Sequence, residues 1–457
     1  MASPSDDVTS RSRDDRSRDW VGTFLLQLGI AVVTVTALQA SRPMVTYRAL
    51  DLGAGTLEIG LVQSSFSLIP VFIAVVLGRW VDRVGEARFL AVGMVLFTLG
   101  NAILFVATSL VALAIGLLVM GFGQIINLVA GQTMIANRGP RERREDRYGW
   151  YSTSVSIGQM AGPAIAAALV AGTVGVAAAA GAATASAAVA GGEDVNVQAP
   201  VFAFAAVLGA GAFVLAALIP HQPPRRREDV AVGQAPGLGA AAARVLQRPG
   251  MAPAMLVSIT VISSVDVLLA YLPAYGEEHA LSVATVGGLL TVRAGASLVS
   301  RLFMSRLIAL MGRGGLLAAS MAMAGSGIAL LPFITSEIPL FGLMILIGLG
   351  LGLGQPMTIA WVANRSPRSE RALALGVRVT GNRAALLVVP TFMGALAGAS
   401  GLAAIWVTLA AALGFGALVA RRTPFDELVA DRPGGRRYEE RRAAEREAES
   451  ESTAVDG

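Results

Sequence analysis

Residues 78–94 read GRWVDRVGEARFLAVGM, and residues 305–321 read SRLIALMGRGGLLAASM. These stretches are 227 residues apart, and the same offset brings NRGPRER at 137–143 onto NRSPRSE at 364–370. It also aligns Arg79 with Arg306, Gly85 with Gly312, Gly121 with Gly348, Gly149 with Gly376 and Pro163 with Pro390. Self-similarity at one fixed offset is typical of an internally repeated fold. The sequence therefore predicts two homologous halves.

Each half contains six apolar segments that are long enough to cross a bilayer. Of the 457 residues, 54% are hydrophobic and only 15% are charged, far fewer charges than a soluble domain carries. Backbone amides find no partner in lipid, so such segments must be helical. The predicted fold class is an all-α polytopic membrane protein with two six-helix bundles. Hydropathy places its twelve transmembrane helices at 20–42, 56–77, 88–107, 109–136, 149–172, 200–220, 252–273, 283–303, 315–335, 338–363, 372–397 and 401–420.

The arginines predict which side of the membrane each loop faces. All 36 basic residues are arginine, and Arg42 and Arg48 are assigned to the outer side. Most of the others lie in the two tails and in alternate loops, at 79–88, 138–147, 225–248, 301–313 and 365–371. Arginine-rich loops remain on the cytoplasmic side of a membrane. We therefore expect a multi-pass protein of the cytoplasmic (inner) membrane with both termini in the cytoplasm.

These assignments divide the chain into regions. We expect a disordered cytoplasmic tail at 1–19, a first bundle at 20–220, a cytoplasmic linker at 221–250, a second bundle at 251–421 and a cytoplasmic tail at 422–457. Residues 173–198 are rich in alanine and glycine and are predicted as a long outer loop of the first bundle. An extra span there would move the later arginine-rich loops to the outer side.

Composition excludes several classes of protein. The chain has no cysteine and two histidines, too few for a metal site built from these residues. Without lysine it cannot contain the phosphate-binding loop of an ATP-driven pump. It also lacks the grouped carboxylates or histidine–aspartate pair that a polytopic membrane enzyme would need. We therefore expect no enzyme activity, no metal and no cofactor. The two-half repeat favours alternating access over a channel built from symmetric subunits.

Residues 78–85, GRWVDRVG, connect the second and third predicted spans. This sequence resembles the loop motif G-x-x-x-D-R-x-G of the major facilitator superfamily. The resemblance implies that residues of this motif control the conformational change: Gly78, Arg79, Asp82, Arg83 and Gly85. Arg306, in the degenerate second copy of the motif, is assigned the same gating role. An ordinary arginine-rich cytoplasmic loop is the alternative interpretation.

The fifth span carries a second motif. Gly158, Gly162 and Pro163 follow Gly149 with the spacing G-x8-G-x3-G-P, which resembles the antiporter motif of the same superfamily. Small residues allow close helix approach, and proline can bend a helix. The resemblance, over residues 20–421, implies secondary transport by alternating access with proton-coupled efflux. A proton-coupled importer or a uniporter is the alternative, because alanines replace the final glycine pair of the motif and the fourth span lacks the arginine of drug exporters.

Ionisable side chains inside predicted spans are candidates for solute binding and coupling, because lipid makes them costly. Asp266 in the seventh span and Arg293 in the eighth could form a pair in which a proton and a solute compete for one charge balance. We predict that Asp266 is the proton-responsive group and that Arg293 is its partner or an anion anchor. A permanent bridge that only fixes helix packing is the alternative.

Other polar residues in the spans are predicted to line a solute cavity: Gln124, Asn127, Gln132, Gln355, Arg378, Asn382 and Arg383. Hydrogen bonds or snorkelling that merely join or anchor helices are the alternative. Three interior arginines against one aspartate favour a neutral or anionic solute. The expected partners are a small solute, protons and the lipid bilayer, without nucleic acid, and the expected state is a monomer.

Overall fold

The computed structural model describes residues 4–138, 144–179, 197–220, 243–366, 371–423 and 443. Within these ranges twelve helices are long and apolar enough to cross a membrane. They are α1 (Pro4–Asp51), α2 (Thr56–Val84), α3 (Glu86–Phe105), α4 (Leu110–Asn137), α5 (Arg144–Ala179), α6 (Ala199–Ala217), α7 (Met251–Glu278), α8 (Val283–Leu302), α9 (Met304–Leu330), α10 (Glu337–Asn364), α11 (Arg371–Ser400) and α12 (Ala403–Arg422). This confirms the predicted all-α fold class.

The two halves repeat one another in helix ends and in packing. The 227-residue offset takes both ends of α4 onto both ends of α10, and the start of α2 onto the start of α8. Gly121 in α4 packs against the backbone of Phe66, and Gly348 in α10 packs against the backbone of Arg293. Positions 66 and 293 differ by the same offset. The sequence repeat is therefore also a repeat of tertiary contacts.

The loop motif at 78–85 is mostly helical, which corrects the prediction of a loop. Helix α2 continues to Val84 and the chain turns at Gly85, while residues 304–311 are helical and the equivalent break falls at Gly312. Both glycines have positive φ, 103° and 69°, which favours glycine because it has no Cβ atom. The part of the motif that makes the turn is thus a single residue.

Helix α1 is longer than predicted at both ends, since it runs Pro4–Asp51. In the tail expected to be disordered, Asp7 precedes Arg11 and Asp14 precedes Arg18 by four residues, a spacing that stabilises a helix. At the other end, Arg42 and Arg48 are buried and lie within the helix, not in an outer loop.

Several predicted connections lie outside the described residues. They comprise residues 180–196 of the predicted outer loop, 221–242 of the linker, and 424–442 and 444–457 of the C-terminal tail. The predicted domain boundaries stay predictions.

The halves meet where α1 packs on α7, α2 on α11 and α5 on α8. Two of these contacts are related by the repeat. A Cβ atom at Gly60 of α2 would lie 2.5 Å from the Pro390 carbonyl oxygen of α11, and one at Gly287 of α8 would lie 2.8 Å from the Pro163 carbonyl oxygen of α5. Pro163, singled out by the antiporter-like motif, therefore lies at a joint between the halves.

Substitution of Gly162 should test the packing role of that motif. A Cβ atom there would lie 2.6 Å from Cβ of Gln39 and 2.7 Å from the Thr36 carbonyl oxygen, both in α1. We expect Gly162→Ala to destabilise the protein by about 1–3 kcal/mol through overpacking, seen as a lower midpoint of thermal unfolding in detergent. Gly149→Ala is the control, because nothing lies within 4 Å of its Cβ position. Equal losses at both positions would contradict this role.

Candidate functional site

A buried ion pair joins the two halves. Asp266 of α7 accepts a hydrogen bond from Nη1 of Arg42 in α1, and the two side chains are 7% and 6% exposed. Nη2 of Arg42 donates to Oε1 of Gln63 in α2 at 2.9 Å. The guanidinium also lies over the ring of Phe66, with 4.7 Å between its central carbon and the ring centroid. A buried charge requires an ionic partner and hydrogen bonds of this kind.

A network of neutral hydrogen bonds surrounds the pair. Nε2 of Gln63 donates to the Arg42 carbonyl oxygen at 3.1 Å and to Oγ1 of Thr46 at 3.0 Å. Thr46 in turn donates to the Ala270 carbonyl oxygen of α7 at 2.8 Å. Arg383 of α11 is near enough to interact electrostatically with both members of the pair. Oδ2 of Asp266 has no hydrogen-bond partner among the described residues.

The prediction that Arg293 pairs with Asp266 is wrong, whereas the alternative role of Arg293 as an anion anchor stays a prediction. Among the described residues the carboxylate pairs with Arg42 and not with Arg293, because α1 brings Arg42 against α7 at the level of Asp266. The sequence prediction overlooked Arg42 because Pro43 follows it, and an Arg-Pro sequence is typical of the end of a helix. The apolar run continues beyond Pro43, and this was the signal that α1 extends further.

Arg293 lies in a different environment. Its residue is 4% exposed, and its Nε atom has no hydrogen-bond partner among the described residues. It interacts electrostatically with Arg301, two turns further along α8. Arg301, which the sequence placed at the edge of the eighth span, lies in the last turn of α8. It donates to Oγ of Ser156 in α5 at 2.8 Å and to the Gly352 carbonyl oxygen of α10 at 3.0 Å.

The structure brings together three of the predicted cavity residues, which are contributed by α10 and α11. Nη2 of Arg378 donates to Oε1 of Gln355 at 2.6 Å and to Oγ1 of Thr358 at 3.1 Å. Oδ1 of Asn382 accepts from Oγ of Ser258 in α7 at 3.0 Å. Arg378 is 5% exposed, and its Nε atom has no partner among the described residues. Its described partners are all uncharged.

The three candidates on α4 do not join these groups within the described residues. Asn127 is buried, and its Nδ2 atom lies 3.8 Å from the sulfur of Met94 in α3. Gln132 is exposed. Oε1 of Gln124 is buried without a described partner. The contact of Asn127 is thus a packing contact within the first half.

The structure describes the side-chain surroundings of only some of the predicted gating residues. Gly158 and Gly162 pack against α1, and Gly85 forms the turn described above. Arg306 is exposed on α9. The remaining motif residues have side-chain surroundings outside the described part of the structure: Gly78, Arg79, Asp82 and Arg83.

Described hydrogen bonds between the halves concentrate toward one end of the bundle. We define the terminal face as the end near the start of α1 and the end of α12, and the distal face as the other end. Arg301–Ser156 lies toward the terminal face. Five others lie in the distal half: Arg42–Asp266, Thr46–Ala270, Thr56–Gly394, Ser64–Thr391 and Tyr271–Thr56. In this conformation the distal side is therefore the more extensively bonded.

Sequence comparison relates this architecture to known proteins. The family model described as Major Facilitator Superfamily matches residues 20–287 and 254–448. The class E tetracycline resistance protein of Escherichia coli is 28% identical over 163 residues, which are 36% of this chain and 34% of that protein. The quinolone resistance protein NorA of Staphylococcus aureus (strain MRSA252) is 23% identical over 204 residues, 44% of each chain. The chain thus matches less than half the length of these curated relatives.

Several solved structures share the fold. The nucleoside transporter NupG superimposes with a TM-score of 0.67 at 13% identity, over 89% of this chain and 98% of that one. A bacterial homolog of the human lysosomal transporter Spinster gives 0.64 at 16% identity, over 90% and 98%. The Escherichia coli fucose:proton symporter FucP gives 0.60 at 15% identity, over 89% and 99%. At these identities the likeness establishes the fold alone.

The ion pair between the halves predicts a non-additive pattern of stability. Arg42→Gln and Asp266→Asn each remove one partner, and each should cost about 3–5 kcal/mol, as is typical of a broken buried pair. The double variant should recover part of the summed loss, because neither charge remains unpaired. Thermal unfolding of the four proteins in detergent provides the measurement.

The pair Arg138–Glu86 offers a control for this cycle. Its atoms are 3.6 Å apart and its carboxylate is more exposed, at 13%. Burial lowers the pKa of Arg138, and Glu86 opposes this effect. Because 3.6 Å is too long for a hydrogen bond, we expect Glu86→Gln to cost less than either single change at the Arg42–Asp266 pair. Strictly additive losses for Arg42→Gln and Asp266→Asn would contradict the assigned pairing.

Proposed function

Because this chain belongs to the major facilitator superfamily of secondary transporters, we propose that it exports a small solute across the cytoplasmic membrane in exchange for protons. The chain is a multi-pass membrane protein of a transporter family and not of an enzyme family. The observation that carries the proposal is the buried Arg42–Asp266 pair, which links α1 of one half to α7 of the other. The tetracycline and quinolone resistance relatives support efflux of drug-sized solutes.

The ion pair couples protonation to movement of the halves. With Asp266 ionised, the pair adds to the other distal hydrogen bonds and favours the conformation closed at that face. Protonation of Asp266 removes its negative charge and deprives Arg42 of its ionic partner. Helices α1 and α7 can then separate, and the centre of the protein opens to the distal side.

For exchange to be obligatory, binding of the solute must also break the Arg42–Asp266 ion pair. A solute group that binds one of the two charged partners replaces the other partner and weakens the link between α1 and α7. An empty carrier with ionised Asp266 stays closed at the distal face. Binding of the proton and binding of the solute to this charge pair are then mutually exclusive, which is the competition that proton–solute exchange requires.

We assign the solute site to polar groups of the second half, namely Gln355, Arg378, Asn382 and Arg383 with Arg293 nearby. The α4 residues are left out of this site because Asn127 packs against α3 and neither Gln124 nor Gln132 has a described side-chain contact with these groups. Arg79, Asp82, Arg83 and Arg306 are proposed to gate the terminal face, by resemblance to the family motif. The monomer is proposed as the transport unit, since one chain contains both halves of the repeat.

Proton movement in proteoliposomes tests the coupling. Vesicles with an acidic interior and trapped pyranine receive norfloxacin or tetracycline from outside. A protein that exchanges solute for protons moves protons out of the vesicles as the solute enters. We therefore expect the interior to become more alkaline than in protein-free vesicles. Asp266→Asn should abolish this proton movement while retaining solute-for-solute exchange, because asparagine is neutral like the protonated aspartic acid. Asp266→Glu should retain part of the coupling.

Glu86→Gln is the matched control, since it also neutralises a carboxylate within a described ion pair but lies at the start of α3. It should leave proton movement unchanged. Acidification of the interior on solute addition would establish proton-coupled import instead. Full proton movement in Asp266→Asn would overturn the role of the ion pair.

The orientation is testable because the chain contains no cysteine. We expect a cysteine introduced by Ser336→Cys, at the exposed start of α10, to react with an impermeant maleimide on intact cells. A cysteine introduced by Ser452→Cys in the C-terminal tail should react only after the cells are permeabilised. The reverse labelling pattern would place both termini outside.

A further inference from the structure

Three arginines of the second half gather around one stretch of α10. Arg301 reaches the Gly352 carbonyl oxygen, and Arg378 reaches Gln355 and Thr358, all within two turns of the helix. Arg293 lies two turns before Arg301 on α8, and its backbone packs against Gly348 of α10, one turn before Gly352. We refer to Arg293, Arg301 and Arg378 as the arginine cluster.

The arginine cluster has no acidic partner among the described residues. Its hydrogen bonds go to hydroxyl, amide and carbonyl oxygens, and the Nε atoms of Arg293 and Arg378 have no described partner. Asp266 is the one buried carboxylate in the described part of the chain, and it is bound by Arg42. Buried charges in a membrane protein need a countercharge. Arg293 and Arg378 are buried without one among the described residues, so a bound anion is a suitable countercharge.

The internal repeat does not account for these charges. At the 227-residue offset, the equivalent positions in the first half hold uncharged residues. Phe66 corresponds to Arg293, Ala74 to Arg301 and Tyr151 to Arg378. Gly121 packs on the backbone of Phe66 and Gly348 packs on the backbone of Arg293, so this repeated contact does not involve the arginine side chain. The three charges are thus particular to the second half.

We propose that the exported solute is an organic anion whose carboxylate, sulfonate or phosphate group binds in the arginine cluster. This inference rests on the proposed function as a solute carrier and names the chemical class of its substrate. Guanidinium groups bind such oxyanions through pairs of N–H donors, and two of the three arginines have an unused Nε donor. Arg383 lies five residues beyond Arg378 on α11 and is near enough to Asp266 to interact with it electrostatically. Release of the Arg42–Asp266 pair requires that the anion also binds Arg42 in place of Asp266.

Binding to the purified full-length protein in detergent, without a pH gradient, tests the proposal. Two probe pairs share a skeleton and differ in charge: fluorescein with the cation rhodamine 123, and nalidixate with its neutral ethyl ester. We expect at least one anionic probe to bind about tenfold or more tightly than its partner. Arg293→Gln and Arg378→Gln should each weaken that binding roughly tenfold, the loss of one charge-assisted hydrogen bond.

Arg48→Gln is the matched control, because Arg48 is also a buried arginine (2% exposed) but donates to the Ala107 carbonyl oxygen near the distal face. It should leave anion binding unchanged. Thermal unfolding midpoints of all variants identify any that misfold, and the two cluster variants act as independent tests. Binding by neither anion, equal or tighter binding of the partner probes, or anion binding unchanged in both cluster variants would overturn the proposal.

Two further measurements distinguish a lipid ligand from a solute, and failure of the proposed coupling from failure of this inference. Displacement of the bound anion by an equal concentration of dioctanoyl phosphatidylglycerol would assign the cluster to a lipid headgroup and overturn the solute assignment. Anion binding without proton movement in vesicles would refute the proposed coupling and leave this inference standing. Proton-driven export of rhodamine 123 without binding of either anion would do the reverse.

Discussion

A charge held inside the membrane must find a countercharge, and this constraint organises the functional part of the structure. Arg42 and Asp266 satisfy it for each other, although they belong to different halves of the protein. Their attachment is therefore also a mechanical link between α1 and α7. In the proposed cycle, neutralisation of Asp266 or binding of the solute to Arg42 loosens that link, and the two halves move apart.

The scaffold around this pair is nearly symmetric, whereas the charges are not. Gly60 on Pro390 and Gly287 on Pro163 are the same contact made twice, once by each half. Close packing of glycines against backbone atoms allows the helices to approach and leaves little room for substitution. The arginine cluster occurs in the second half alone. The halves thus meet through symmetric packing, whereas the proposed anion site is formed by charges of the second half alone.

The sequence predicted the transmembrane helices well and the partners of charged residues poorly. Helix positions follow from apolar length, a local property, and the 227-residue repeat follows from direct comparison of one half with the other. The pairing of Asp266 depends on which helices meet in the bundle. Arg42 was overlooked because an Arg-Pro pair resembles a helix end, although α1 continues for eight residues beyond Pro43. Arg301 was not counted among the interior arginines because arginine at the edge of a span is usually exposed.

The sequence by itself determined that this protein spans a membrane with twelve helices, that its halves are homologous, and that it resembles the major facilitator superfamily. These conclusions depend on hydropathy, repeated spacing and motifs, all of which are written along the chain. The tertiary structure alone decided that Asp266 binds Arg42 and that Arg293, Arg301 and Arg378 gather around α10 without a described acid. Residues 224 positions apart in the chain become neighbours only when the bundles pack, and no local pattern encodes that meeting.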